Sequence, residues 1–189
     1  MKRRVMLLAM VTVAGCSGSV DGRVGGVKLD VNDAIFALFR DDSGRAIATL
    51  VVLSDTPKIC DSLKANREPR TSTNLLLTLY RFSSDDYLAP DKGEFTVVDR
   101  DPTTAGSWAS ATFQRTDFNC ANTLSPQAST GVSGLVKLTQ LEPVANGNAR
   151  ATLDLTFGAG DLVKGHFNAR FCDINRLPDA SASCETTGR

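Results

Sequence analysis

His166 is the single histidine of this 189-residue chain, and so its only imidazole that could act as a general base. It lies on the polar side of an alternating stretch, together with Lys164 and Asn168. A hydrolase would need a carboxylate and a hydroxyl beside it. The segment 131–134 (GVSG) lacks one glycine of the Gly-x-Ser-x-Gly nucleophile elbow. We therefore expect His166 to be a solvated surface residue and predict no catalytic residue.

The sequence gives equally little support for binding of a cofactor, a metal ion or nucleic acid. The chain contains no phosphate-binding glycine loop and no dinucleotide fingerprint. Its acidic residues cluster in short polar segments such as 41–42 and 85–86, without the spacing of a calcium-binding EF-hand loop. Basic and acidic residues balance at 21 each, which is not the charge of a nucleic-acid-binding domain. We expect no cofactor, no bound metal and no nucleic-acid partner.

The five cysteines are Cys16, Cys60, Cys120, Cys172 and Cys184. No Cys-x-x-Cys pair occurs, and one histidine adds little to a zinc site, so we expect structural disulfides. An odd number in an exported protein leaves one thiol to be explained, and modification of Cys16 would leave four. Four cysteines allow three pairings. We favour Cys172–Cys184, which would fasten the tail, with Cys60–Cys120, which would staple a helix to a loop.

The N-terminus has the pattern of an export signal. Lys2, Arg3 and Arg4 precede the largely apolar stretch 5–13. Nine residues span only about 14 Å as a helix, whereas the hydrocarbon core of a bilayer is about 30 Å thick. A positive start with a short apolar stretch is typical of a secretory signal peptide, here residues 1–15.

The end of that signal is similar to a known motif. Residues 13–16 (VAGC) resemble the lipobox of bacterial lipoproteins, with Val13 where leucine is usual. The resemblance implies that Cys16 becomes the lipidated N-terminus, held at the cell envelope by acyl chains such as palmitate. Ser17 follows it instead of aspartate, which in a Gram-negative cell favours the outer membrane over the inner one. Without residues 1–15 the chain has 18 basic and 21 acidic residues, a net charge of −3, so the acyl chains must supply the attachment.

After Cys16 the sequence predicts a flexible tether, one domain and a tail. Residues 16–26 are rich in glycine and serine, residues 27–177 have the size of one β-rich domain, and residues 178–189 are polar. A helix is predicted over Thr56–Asn66, where a polar cap precedes proline. The predicted strands are Ala34–Arg40, Arg45–Leu53, Asn74–Phe82, Glu94–Asp99, Trp108–Thr116, Gly134–Leu141, Ala149–Phe157 and Asp161–Phe171.

The last two strands alternate apolar and polar residues with a period of two and are joined by Gly158-Ala159-Gly160, which indicates a hairpin. About eight short strands with one helix favour an antiparallel β-sandwich, with a calycin-like β-barrel as the alternative. In both folds we expect the core to contain Phe36, Phe39, Phe82, Phe95, Phe113, Phe157, Phe167 and Phe171.

The mature domain also resembles uncharacterised β-rich bacterial lipoproteins. The similarity rests on the segments 53–60, 134–139 and 165–172 and implies no activity. The sequence therefore favours a non-enzymatic binding or structural role at the envelope, with an unknown partner. The alternative is a carrier or sensor whose β-barrel holds a small apolar ligand, and a hydrolase assembled across strands is less favoured.

Overall fold

The computed structural model describes residues 18–84, 86–100, 102–174 and 183–184. Cys16 and the predicted signal peptide lie outside these residues. The described strands and helices are β1 (Gly18–Val24), β2 (Val27–Lys28), β3 (Asp33–Arg40), β4 (Ala46–Ser54), α1 (Ile59–Lys64), β5 (Arg67–Glu68), β6 (Thr73–Ser83), β7 (Asp86–Leu88), β8 (Gly93–Val97), β9 (Gly106–Arg115), α2 (Pro126–Ser129), β10 (Gly131–Leu141), β11 (Asn148–Phe157), β12 (Leu162–Phe171) and β13 (Ser183–Cys184).

Eight strands form a closed β-barrel in the order β3, β4, β6, β9, β8, β10, β11, β12 and back to β3. They are the eight strands that the sequence predicts, with ends shifted by three residues or fewer. The ring closes where β12 pairs with β3 in parallel, Arg170 opposite Ile35 and Phe171 opposite Phe36. The predicted sandwich is therefore wrong, because this long-range pairing joins the two edges that a sandwich would leave open. The barrel alternative describes the fold.

The barrel is not a simple up-and-down meander. Strand β9 lies between β6 and β8, and it runs parallel to β8 with Thr96 opposite Trp108 and Val97 opposite Ala109. Parallel neighbours cannot be joined by a tight turn, so the chain between them must cross back along the barrel. That crossing segment borders the groove described below.

Large apolar side chains fill the barrel interior. Alternate residues of each barrel strand point inward, and the inward set includes five phenylalanines that are each at most 2% exposed: Phe36, Phe95, Phe113, Phe157 and Phe167. The rings of Phe113 and Phe157 meet edge to face, with centroids 6.0 Å apart. Phe171 is partly buried against the same cluster. Phe39 and Phe82 were expected in this core, but Phe39 packs on the outside and Phe82 is only half-buried.

Strand β1 occupies residues that we expected to be a flexible tether, so that expectation is wrong for residues 18–24. It pairs antiparallel with β12, from Gly18 opposite Phe167 to Gly22 opposite Val163. Gly22 has a φ of +133°, and a Cβ there would lie 2.1 Å from the carbonyl oxygen of Leu162. The glycines of this segment thus permit close strand pairing, whereas their composition indicated flexibility.

Helix α1 covers the outer face of β3 and β4. Ile59 and Cys60 pack there against outward residues such as Ile35 and Leu50. The helix begins three residues later than predicted, at Ile59, whose amide donates a 3.0 Å hydrogen bond to Asp33 Oδ2. In the described residues no helix is long and apolar enough to cross a membrane.

The disulfides are Cys60–Cys172 and Cys120–Cys184. The pairing that we favoured, Cys172–Cys184 with Cys60–Cys120, is wrong. Cys172 directly follows β12, and the closure of the barrel carries it to the outer face of β3, where α1 presents Cys60. Cys184, in the tail, reaches the loop at Cys120 because β13 pairs with β5.

Candidate functional site

A groove of about 770 Å³ lies on the outside of the barrel. Its floor consists of outward residues of β4, β6 and β9, which are neighbours in the ring. We call it the outer groove and define it by Ala48, Thr78, Tyr80, Tyr87, Ser110 and Thr112 together with residues 98–100. These side chains point away from the filled interior, because they alternate with inward residues such as Leu79 and Ala111.

Two tyrosines form the aromatic part of the outer groove. Tyr80 is 7% exposed and Tyr87 is 38% exposed, and their ring centroids are 5.5 Å apart in an edge-to-face arrangement. Phe82 contacts Tyr87 at the same centroid distance. Tyr87 therefore offers an accessible ring on a packed aromatic base, which suits contact with a flat apolar group.

Ion pairs hold β7, and with it Tyr87, beside the groove. Arg45, which directly precedes β4, donates two hydrogen bonds to the Asp86 carboxylate and one of 3.0 Å to Asp41 Oδ2. Hydrogen bonding by Arg45 lowers the pKa of Asp86. The hydroxyl of Ser43 and then Arg45 lower the pKa of Asp41 to about 2. Both carboxylates are therefore ionised at neutral pH, and Arg45, whose pKa is raised by them, links the β3–β4 turn to β7.

The crossing segment between β8 and β9 borders the groove on another side. The backbone amide of Val98 donates to the carbonyl of Ala109 at 3.0 Å, and the indole of Trp108 donates to the carbonyl of Thr104 at 3.1 Å. Asp99 and Arg100 then face the groove, and the Arg100 side chain is 89% exposed. A ligand would meet an uncharged floor with hydroxyl groups and a charged rim.

The residues that the sequence singled out for chemistry lie elsewhere. His166 is exposed on β12, and its neighbours across the sheet are Ser19 and Thr152. The nearby carboxylates of Asp21 and Asp154 lie opposite Lys164 instead. The structure thus places two hydroxyl groups next to His166 in register, and the carboxylate that general-base catalysis would use lies across from a lysine.

The acidic residues stabilise turns and junctions. Asp33, besides accepting from Ile59, is bonded to the guanidinium of Arg170 at 3.0 Å, and this bond raises the pKa of Arg170. Asp41 accepts backbone and side-chain hydrogen bonds within its own turn. Across the described residues no group of three or more histidine, cysteine, aspartate or glutamate side chains could hold a metal ion.

Sequence reasoning missed the outer groove because its residues come from strands distant in the chain. The signal that was present lies in β6, where Thr78 and Tyr80 follow the apolar run 75–77 on alternate positions. Helix α1 covers the outer face of β4 at Leu50 and Val52, whereas Ala48 of β4 borders the open groove together with Thr78 and Tyr80 of β6.

Comparison of the chain with protein-family models, with curated proteins and with solved structures found no match.

Proposed function

We propose that this chain is a lipid-anchored cell-envelope protein that acts by binding, without catalysis, and that the outer groove is its ligand site. The observation that carries the choice of site is the contrast between the two faces of the barrel wall. The interior is filled by buried side chains such as Phe113 and Phe157, while the outside holds a groove with an accessible Tyr87.

The chemistry of the groove indicates the class of ligand. Tyr80 and Tyr87 favour a flat apolar group, and the hydroxyls of Thr78, Ser110 and Thr112 can bond its polar edges. At the rim, the exposed guanidinium of Arg100 lies 4.0 Å from the Asp99 carboxylate, a solvent-exposed pair that an anionic substituent of the ligand can replace. A small aromatic or otherwise flat molecule with one negative charge fits these features.

The site is tested with the fluorescent aromatic sulfonate 1-anilinonaphthalene-8-sulfonate, a flat apolar anion. We expect the native protein to bind it and Ser110→Phe, which fills the groove floor, to abolish most of the binding. Phe118→Ala is the matched control, because Phe118 is a 66% exposed aromatic residue that does not line the groove. Equal binding by the native protein and Ser110→Phe would contradict the proposed site.

The lipid anchor is tested by intact mass of the membrane-extracted protein, before and after reduction and alkylation. We expect acyl mass on a chain that begins at Cys16 and four cysteines that are alkylated only after reduction. A chain without acyl mass would contradict the anchor.

The carrier hypothesis remains the second candidate, because a closed barrel is the architecture that it needs. A ligand inside this barrel would have to displace packed phenylalanines, so we favour the outer groove. Dye binding by the folded protein that is unchanged in Ser110→Phe would favour the carrier instead.

A further inference from the structure

The proposed lipid anchor leaves very little chain between the bilayer and the barrel. Gly18 is already paired with Phe167 in the barrel wall, and only Ser17 separates it from Cys16. Two residues reach at most about 7 Å when fully extended. An acylated Cys16 would therefore hold the point at which β1 meets β12 close to the lipid headgroups.

Strand β1 has no slack that would lengthen this connection. Val20 and Val24 are buried in the barrel core, at 8% and 0% exposure. Each of five consecutive residues of β1, from Gly18 to Gly22, has a partner on β12. Releasing β1 would expose this apolar surface and break the strand pairing, so the connection stays short.

The surface around this point carries positive charge. We define the anchor wall as the outward side chains of β1, β11 and β12, which are neighbouring strands. Its exposed charged residues are the basic Arg23, Arg150, Lys164 and Arg170 and the acidic Asp21 and Asp154. The side chains of the wall thus sum to +2, or to +1 when Asp33 of the neighbouring β3, the ion-pair partner of Arg170, is included. The mature chain as a whole would have −3, and anionic lipid headgroups attract the more positive surface.

The outer groove lies on the other side of the barrel. In the eight-membered ring, β12 is four strands from β9 in either direction, so these two strands are opposite each other. Strand β9 supplies Ser110 and Thr112 to the groove floor. The other floor strands, β6 and β4, are three and two strands from β12, so a bilayer against β12 leaves at least the β6 and β9 side of the groove accessible.

We propose that the anchor wall lies against the surface of the bilayer that holds the acyl chains, and that the outer groove faces away from it. This inference rests on the proposed anchor at Cys16. The occupant of the wall is the anionic headgroup layer of that bilayer, which the short connection and the positive charge both favour.

The test compares two tryptophan reporters in the acylated full chain. The chain contains one tryptophan, Trp108 on β9, which is the reporter far from the membrane. The near reporter is the double variant Trp108→Phe with His166→Trp, because position 166 is exposed on β12 beside Ser19. Both proteins are reconstituted in vesicles of phosphatidylethanolamine and phosphatidylglycerol that contain a lipid with a nitroxide on its headgroup.

We expect position 166 to lose most of its emission to the nitroxide and Trp108 to keep its own. Insertion of about twenty glycine and serine residues between Ser17 and Gly18, with a root-mean-square reach of about 25 Å, should restore emission at position 166. Equal quenching of both reporters, or stronger quenching of Trp108, would overturn the orientation. If the emission at position 166 stays quenched after the insertion, the short connection does not hold this strand at the membrane.

The two proposals fail in different ways. If the mass of the reconstituted protein shows no acyl chains, the anchor itself fails and the orientation fails with it. If the protein is acylated and membrane-bound but both reporters are quenched alike, only the orientation fails. The Cys16→Ser chain should show no quenching at either position.

Discussion

Neighbouring residues in a barrel strand face opposite environments, so the role of each depends on the side of the wall to which it points. On β4, Thr49 points into the interior together with Val51 and Leu53 and is fully buried. Among the described residues, no hydrogen-bond partner is found for its hydroxyl. A buried hydroxyl without a partner costs free energy on folding.

We therefore expect Thr49→Val to raise the free energy of unfolding by about 1 kcal/mol, since it keeps the shape and removes the unpaired hydroxyl. The reverse change at the next inward position, Val51→Thr, should lower it by about 1–3 kcal/mol. Urea denaturation followed by circular dichroism measures both. A destabilised Thr49→Val variant would mean that the hydroxyl makes a bond within the folded barrel.

For single residues, the sequence predicted which side chains are buried or exposed better than it predicted which side chains contact each other. An exposed His166 and buried phenylalanines follow from alternation alone, and five of the eight phenylalanines expected in the core are fully buried in the interior. The meeting of Tyr80 with Tyr87 depends on a three-residue strand that folds back beside β6, and nothing in the local pattern indicated it. The outer groove was unpredictable for that reason.

The strands are the elements that the hydrophobic pattern specifies well, whereas the predicted polar cap does not mark the start of α1, whose N-cap residue Lys58 makes no side-chain cap hydrogen bond. All eight predicted strands exist, because apolar and polar residues alternate in strands such as β11 and β12, apolar runs mark β4 and β6, and turn residues separate the strands. The closure of the barrel does not follow from such local patterns. The parallel contact of β12 with β3 joins positions that are 135 residues apart in the chain, and no local pattern distinguishes it from the open edge of a sandwich.

Strand β1 shows where composition misleads. Its glycine content predicts flexibility, yet the seam between β1 and β12 requires glycine on both sides, at Gly18 and Gly22 on β1 and at Gly165 on β12. Gly165 on β12 has a φ of +152°, and a Cβ there would lie 2.2 Å from the carbonyl oxygen of Ser19. Glycine makes a linker flexible, but in this seam it allows the two backbones to approach closely.

We expect Gly165→Ala to weaken the β1–β12 seam and lower the free energy of unfolding by more than about 1 kcal/mol, because alanine is strained at this φ and its methyl group meets backbone. Hydrogen exchange should become faster at the amides of β1 before those of β10 or β11. Ser19→Ala, an exposed change on the same seam, is the control and should leave exchange as it is. Slow exchange in the Gly165→Ala protein would contradict this account.

On the scale of the whole molecule, the two disulfides tie outer elements to the closed barrel. Cys60 and Cys172 are 4% and 0% exposed within the cluster under α1, whereas Cys184 is only partly buried. The bridges span 112 and 64 residues, a difference worth only about 0.5 kcal/mol in the loop-entropy model. Any larger difference between the contributions of the two bridges to the free energy of unfolding must come from the packing around them.

Removal of Cys60–Cys172 by a pair of alanines should therefore lower the free energy of unfolding by about 4–5 kcal/mol, and the same change at Cys120–Cys184 by about 2–4 kcal/mol. Guanidinium denaturation under non-reducing conditions compares the two double variants. If the bridge at Cys184 proves the costlier to remove, the packing under α1 contributes less than its burial indicates.

The pairing of the cysteines also sets an order of events. Cys172 and Cys184 both follow the last barrel strand, so neither native bridge can form until all eight strands have been synthesised. Cys60 and Cys120 emerge earlier, and in an oxidising compartment they can then oxidise with each other. Such a bridge would have to be exchanged by an attacking thiolate from the late-emerging cysteines. The native bridges thus form only after the last barrel strand is complete. If the early Cys60–Cys120 bridge has formed, exchange with Cys172 or Cys184 converts it into one native bridge, and oxidation of the two remaining thiols by the compartment's oxidant forms the other.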